Sequence, residues 1–149
     1  MSLKKQILER YHLLIQDKID VFRDMIADLT LDAQNDAKGS AGDKHETALS
    51  MMHLEQEKLN YKLKEIYDQK AILDKIDPDA VHATIALGSL VQANAMLLFV
   101  AAALPKITID DRTIIAVSPQ SPLGSKLMGA SVGFSFQINN TNYLIEQVE

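Results

Sequence analysis

The sequence predicts an α+β protein, an antiparallel coiled-coil helical hairpin followed by a small antiparallel β domain with one short helix. Two observations divide it in that way. Residues 1–80 hold 12 of the 15 Lys and Arg and 16 of the 20 Asp and Glu, so the charge lies almost wholly in the first half. Apolar residues there recur at three- and four-residue spacing, whereas later they fall in short runs between turn residues. The change comes at Ile76, Asp77, Pro78, Asp79 and Ala80, where a proline ends helical periodicity. The expected organisation is a hairpin over 1–75, a linker over 76–80 and a C-terminal domain over 81–149.

In the first arm Ile7, Tyr11, Ile15, Ile19, Phe22, Ile26, Leu29 and Ala33 make one apolar stripe with charge on the other faces. In the second arm Met52, Leu59, Ile66 and Leu73 repeat every seven residues, helped by Ala48 and Leu63, as a coiled-coil seam requires. Glu55 and Lys62 interrupt the companion seam positions. Between the arms residues 38–43 read KGSAGD, whose glycines let the chain reverse. Arms of roughly 30 residues extend on the order of 45 Å. Two helices bury one seam, so such a rod suits reaching into another protein better than enclosing a small molecule. A dimerising or purely structural coiled coil fits the same pattern. Because the two helices can satisfy each other, a monomer is expected.

The tip, residues 38–46, carries Asp43 and Glu46 three positions apart at the start of the second arm. One reading is a helix N-cap, with Asp43 accepting from backbone N–H groups, Glu46 reaching back, and the helix dipole favouring both charges. The other is an exposed carboxylate pair offering oxygen ligands to Mg²⁺, which binds one or two protein carboxylates and keeps several waters. The two are compatible, since a capping carboxylate retains outward lone pairs. His45 and His53 lie eight apart without other close ligands and make a poor zinc site.

In the C-terminal half, His82–Val91, Lys106–Ile109, Arg112–Val117, Ser135–Ile138 and Tyr143–Val148 read as strands. Asp110 with Asp111, and Asn139 with Asn140 and Asn142, mark hairpin turns. The run from Ala95 to Leu104 is ambiguous, because its alanines favour helix while Phe99 and Val100 favour strand. Ser121 before Pro122 suits the cap and first turn of a short helix, Leu123, Leu127 and Met128 share one face, and Gly129 suits its stop.

A formal net charge of -5 argues against a direct electrostatic grip on nucleic acid. The absence of cysteine excludes disulfides, thiolate zinc ligands and a thiolate nucleophile, and fits a cytoplasmic location. No signal peptide is visible at the N-terminus, and Ala95–Leu104 is about half the length that a membrane span needs.

The run Ser118, Pro119, Gln120, Ser121, Pro122, Leu123, Gly124, Ser125, Lys126, Leu127, Met128, Gly129 resembles the C-terminal motif of the Gre family of bacterial transcript cleavage factors. The tip resembles that family as well, through Gly42, Asp43, Glu46 and Ala48. With the helical hairpin and the C-terminal half to which these motifs belong, the resemblance covers nearly the whole chain. The resemblance implies a C-terminal domain that is FKBP-like, with Ala95–Leu104 as strand, docking on bacterial RNA polymerase through Ser118, Pro119, Ser121, Pro122 and Gly124. It implies that the tip enters the polymerase secondary channel, where Asp43 and Glu46 help hold the polymerase's own Mg²⁺ and stimulate cleavage of backtracked RNA. The chain would then be an accessory factor without a cofactor or complete active site, meeting nucleic acid only within the elongation complex.

Several residues depart from the family pattern. Lys126 replaces a small residue, Phe134 an acidic one and Thr47 an asparagine, Leu49 and Ser50 replace an acidic and an aromatic residue, and Leu54 stands where a basic residue is usual. A channel-binding regulator without cleavage stimulation is therefore a second expectation, and a structural hairpin unrelated to transcription a third. Prolyl isomerase activity, which an FKBP-like fold invites, requires an aromatic-lined pocket that this half, with only Phe99, Phe134, Phe136 and Tyr143, is poorly supplied to build.

Overall fold

A computed structural model describes residues 1–39 and 43–149, apart from the side chains of 33, 35–39 and 43–45. Two long helices, α1 (Leu3–Gly39) and α2 (Asp43–Asp74), precede a six-stranded sheet and a third, short helix. The α+β expectation is met. The chain forms two compact units, one of Leu13–Ala71 and one of Met1–His12 with Ile72–Glu149.

In the unit of Leu13–Ala71 the two helices run antiparallel. Gln56 Nε2 donates to Thr30 Oγ1 at 2.8 Å, and the Arg23 guanidinium lies 5.8 Å from the centre of the Tyr67 ring. As the position on one helix rises, that of its partner falls. Ile15 and Ile19 on α1 and Leu59 and Ile66 on α2 are buried, as the stripes require. Each such side chain contributes about 2 kcal/mol when removed from water. Phe22, Ile26, Leu29, Met52 and Leu63 are half-buried, so the seam loosens towards the turn.

The other unit contains strands β1 (Leu90–Ala93), β2 (Met96–Val100), β3 (Ile107–Ile109), β4 (Arg112–Val117), β5 (Ser135–Ile138) and β6 (Thr141–Val148), with α3 (Pro122–Leu127) between β4 and β5. The spatial order is β3-β4-β2-β1-β6-β5. Every pairing is antiparallel except β2 with β4, so the sheet is mixed where the sequence suggested an antiparallel one. The reason is a crossover: β3 takes the edge, and β4 turns back to run alongside β2.

Two-residue turns close all three hairpins. Their central pairs, Asn94–Ala95, Asp110–Asp111 and Asn139–Asn140, all have positive φ, the geometry that matches strand twist. The expected strand over His82–Val91 begins only at Leu90. Upstream of it the backbone bonds elsewhere: Ile85 N–H donates to Ala130 O, and Gly129 N–H donates to Ile85 O, tying this segment to the end of α3. Of the ambiguous run, Met96–Val100 is strand.

The sheet packs on both faces. On one, Val91, Leu98, Val100 and Ile145 meet Leu127 of α3, with Ile85 closing the cluster. On the other, residues of the first turns of α1 cover Phe99, whose ring stacks on Tyr11. Lys4 is buried here too, its ammonium donating to Ala80 O at 2.7 Å and to the main-chain oxygen of Glu149 at 3.2 Å. Among the described residues no helix is long and apolar enough to cross a membrane.

Candidate functional site

At the hairpin turn, α2 begins at Asp43, and the Glu46 side chain one turn later is exposed. The Asp43 side chain lies outside the described residues, and so does the capping bond expected of it; Gly42 lies outside them as well. Thr47 and Ser50 are exposed, and Ala48 and Leu49 are half-buried. The exposed surface then becomes apolar. Met51 is 67% exposed and Leu54 is 64% exposed, and with Glu55, Glu57 and Lys58 the two line one shallow surface depression of α2. Among the described residues no group of three His, Asp or Glu is placed to hold a metal ion. The exposed Glu46 carboxylate is an oxygen donor of the type that magnesium takes.

The second candidate region, Ser118–Gly129, is described throughout. Ser121 caps α3: its hydroxyl accepts from Gly124 N–H at 3.0 Å, with Pro122 in the first turn. The same hydroxyl donates to Ser118 O at 2.7 Å. Ser118 in turn accepts from Gln120 N–H at 3.2 Å and donates to the Gln120 side chain at 2.8 Å. Both serines are therefore committed within their own turn.

Gly124 is buried, and a Cβ at that position would overlap the Ser118 carbonyl oxygen and press on Pro119 Cα. Gly129, with φ +79°, ends the helix and donates to Ile85 O at 2.8 Å. These residues shape a rigid knuckle. The surface it presents is made by Gln120, Pro122, Ser125 and Lys126, all exposed, while Pro119 is half-buried.

Next to this knuckle in the chain, Met128, Val132 and Phe134 are exposed apolar residues. Phe134 stacks on Phe136, which stacks on Tyr143 with centroids 5.2 Å apart, so the ring is held in place by its neighbours. The sequence drew attention to these aromatics only as too few to line an isomerase pocket, and Phe136 packs against the core. The alternation from Phe134 to Ile138 is the signal that sets Phe134 beside Phe136 on one face. No protein-family model and no curated protein sequence matches the chain.

Proposed function

We propose that this protein is a Gre-like accessory factor of RNA polymerase, which enters the secondary channel with its helical hairpin and stimulates cleavage of backtracked RNA. What carries this reading is an antiparallel helical hairpin whose second helix opens on Asp43 and an exposed Glu46, in a chain that continues into a β domain with the Ser118–Gly129 knuckle. The contribution of the hairpin is positional, since placing ligands at an existing site lowers a barrier without new covalent steps.

On this reading the carboxylate oxygens of Asp43 and Glu46 supplement the ligands of the polymerase's magnesium, whose own contribution is to activate water. The rigid knuckle and the exposed Phe134 give the β domain a shaped surface for docking on the polymerase. Net charge of -5 agrees with a factor that reaches RNA through a protein and not by gripping phosphates.

The deciding assay mixes the purified chain with a backtracked elongation complex and Mg²⁺ and follows a labelled transcript. Wild type is expected to shorten it, and Asp43→Asn to bind without shortening it. A chain that neither binds the complex nor alters the transcript would sink the proposal and leave a structural hairpin.

One observation favours a second outcome, binding without cleavage. Where the Gre pattern has a basic residue this chain exposes Leu54, so an attraction for RNA phosphate is missing beside the turn. The same assay separates the two, since a pure regulator occupies the complex and leaves the transcript intact.

A further inference from the structure

The sheet face that carries Phe99 is not apolar along its whole length. On this face Gln92 of the central strand β1 stands between Gln147 of β6 and Leu97 of β2, its cross-strand neighbours. A half-buried glutamine is an unusual choice there, because the positions beside it, Leu90 and Phe99, are buried and apolar. Around Gln92 the face opens into a cavity of about 240 Å³, with Leu90 and Leu97 as its floor and Leu3 of α1 as a wall.

Two opposite charges complete the lining, Arg112 at the start of β4 and Glu149 beyond β6. They do not neutralise each other, since no ion pair within 4.0 Å joins them, and Arg112 has no carboxylate partner among the described residues. The Glu149 carboxylate accepts one hydrogen bond, from Gln147 Nε2 at 3.1 Å, which leaves its second oxygen available, and the Lys4 ammonium acts on it electrostatically without a hydrogen bond to it. No hydrogen bond occupies the Gln92 amide.

We propose that this cavity binds a small zwitterion of the aliphatic amino-acid class. The Arg112 fork receives the carboxylate, Glu149 receives the ammonium, the Gln92 amide supplies a further donor and acceptor, and the aliphatic body lies on Leu90 and Leu97. The part beneath Leu3, about 240 Å³, is large enough for an aliphatic amino acid, and it continues past Ala95 into a further space that Gln92, Leu97, Arg112, Gln147 and Glu149 also line. The chemistry sets the class, because a planar guanidinium pairs with carboxylate in two parallel hydrogen bonds. The inference is independent of the polymerase reading, since none of these residues lies at the hairpin turn or in the knuckle.

The test is an NMR titration of the full chain with each natural aliphatic amino acid, alongside 4-methylpentanoate, which lacks the ammonium, and leucine methyl ester, which lacks the carboxylate. Saturable shifts are expected at the Gln92 side-chain amide and the Leu97 N–H for at least one amino acid. The methyl ester should bind about tenfold or more weakly, as should the parent amino acid to Arg112→Gln, the loss expected of a charge-assisted pair. Glu149→Gln should weaken the amino acid and leave 4-methylpentanoate unchanged. No saturable shift for any of them below about 10 mM, where affinity falls under that of useful recognition, overturns the proposal. So does equal binding by Arg112→Gln, whose exposed side chain can be replaced without disturbing the fold.

Discussion

Tyr11 and Phe99 stack with ring centroids 6.2 Å apart and planes 12° from parallel, joining the first turns of α1 to the centre of the sheet. Both rings are fully buried, and the Tyr11 hydroxyl donates to Pro105 O at 2.8 Å. Burial pushes this phenol up to about 12, which keeps it in the neutral form that can donate. Tyr11→Phe keeps the stack and orphans one carbonyl, so it should cost about 1 kcal/mol. Tyr11→Ala should cost about 3–5 kcal/mol, because the cavity is added to the lost transfer energy. Urea unfolding of both variants checks the order; equal losses would mean that the hydroxyl, not the ring, is the contribution.

Gly124 and Gly129 make opposite demands although only four residues lie between them. Gly124 lacks room for a side chain, since the atom in the way is the Ser118 backbone carbonyl, which cannot rotate aside. Gly129 has open space but φ +79°, which costs an ordinary residue about 1–2 kcal/mol. Gly124→Ala should therefore lower the thermal midpoint much further than Gly129→Ala and detach Ser121 from its capping bond. Loss of exchange protection at the Gly124 N–H neighbourhood in Gly124→Ala, set against retention in Gly129→Ala, is the reading that distinguishes them.

Periodicity made the hairpin legible, because Ile15, Ile19, Leu59 and Ile66 obey a helical repeat and are buried as a result. The cap at Ser121 was equally plain, since a serine before proline has few other uses at that spacing. Less was visible where long-range pairing decides. Nothing local tells that β4 runs parallel to β2, or that Ile85 bonds to Gly129 and Ala130 and so leaves the sheet. The cavity beside Gln92 is drawn from α1, four strands and Glu149, and no spacing in the chain brings those residues together. At the hairpin turn, Glu46 lies in the first turn of α2 with its side chain exposed, while the Asp43 side chain lies outside the described residues.

The turn between β1 and β2 holds Ala95 at φ 62°, where the other two hairpins use Asp and Asn. Alanine has no side chain to compensate the left-handed backbone, whereas glycine has no Cβ to strain. Ala95→Gly should stabilise the protein by about 1 kcal/mol, a net of relieved strain and added unfolded-state entropy. A thermal midpoint raised by several degrees is the expected result, and a lowered one would show that strain here is negligible.

His82 Nδ1 lies 2.6 Å from Ser89 Oγ, and that oxygen also accepts from Ala86 N–H at 2.9 Å. Burial, and secondly the Lys4 ammonium, hold the His82 pKa below its usual 6.5. The fold thus favours the neutral ring, and between the folded pKa and 6.5 the unfolded chain binds more protons. Stability from this group is present above pH 6.5 and is lost as pH falls through the folded pKa. His82→Gln should flatten the dependence of unfolding free energy on pH in that window. An unchanged slope would place the titration on another group.

Leu54 follows Asp43 by eleven residues, close to three full turns of α2, and is 64% exposed. If the hairpin works within the polymerase channel, a cation at this position would face RNA phosphate at a distance set by the helix alone. Leu54→Arg replaces an exposed apolar group, so the hairpin itself should be unaffected or slightly more soluble. On the proposed function it should raise the rate of transcript cleavage about fivefold, the equivalent of about 1 kcal/mol of added attraction. The gain should shrink as salt rises, because a phosphate contact is screened where an apolar contact is not. A gain that persists at high salt would point to a change in hairpin docking, and no gain at unchanged affinity for the polymerase would remove phosphate attraction as the element this tip lacks.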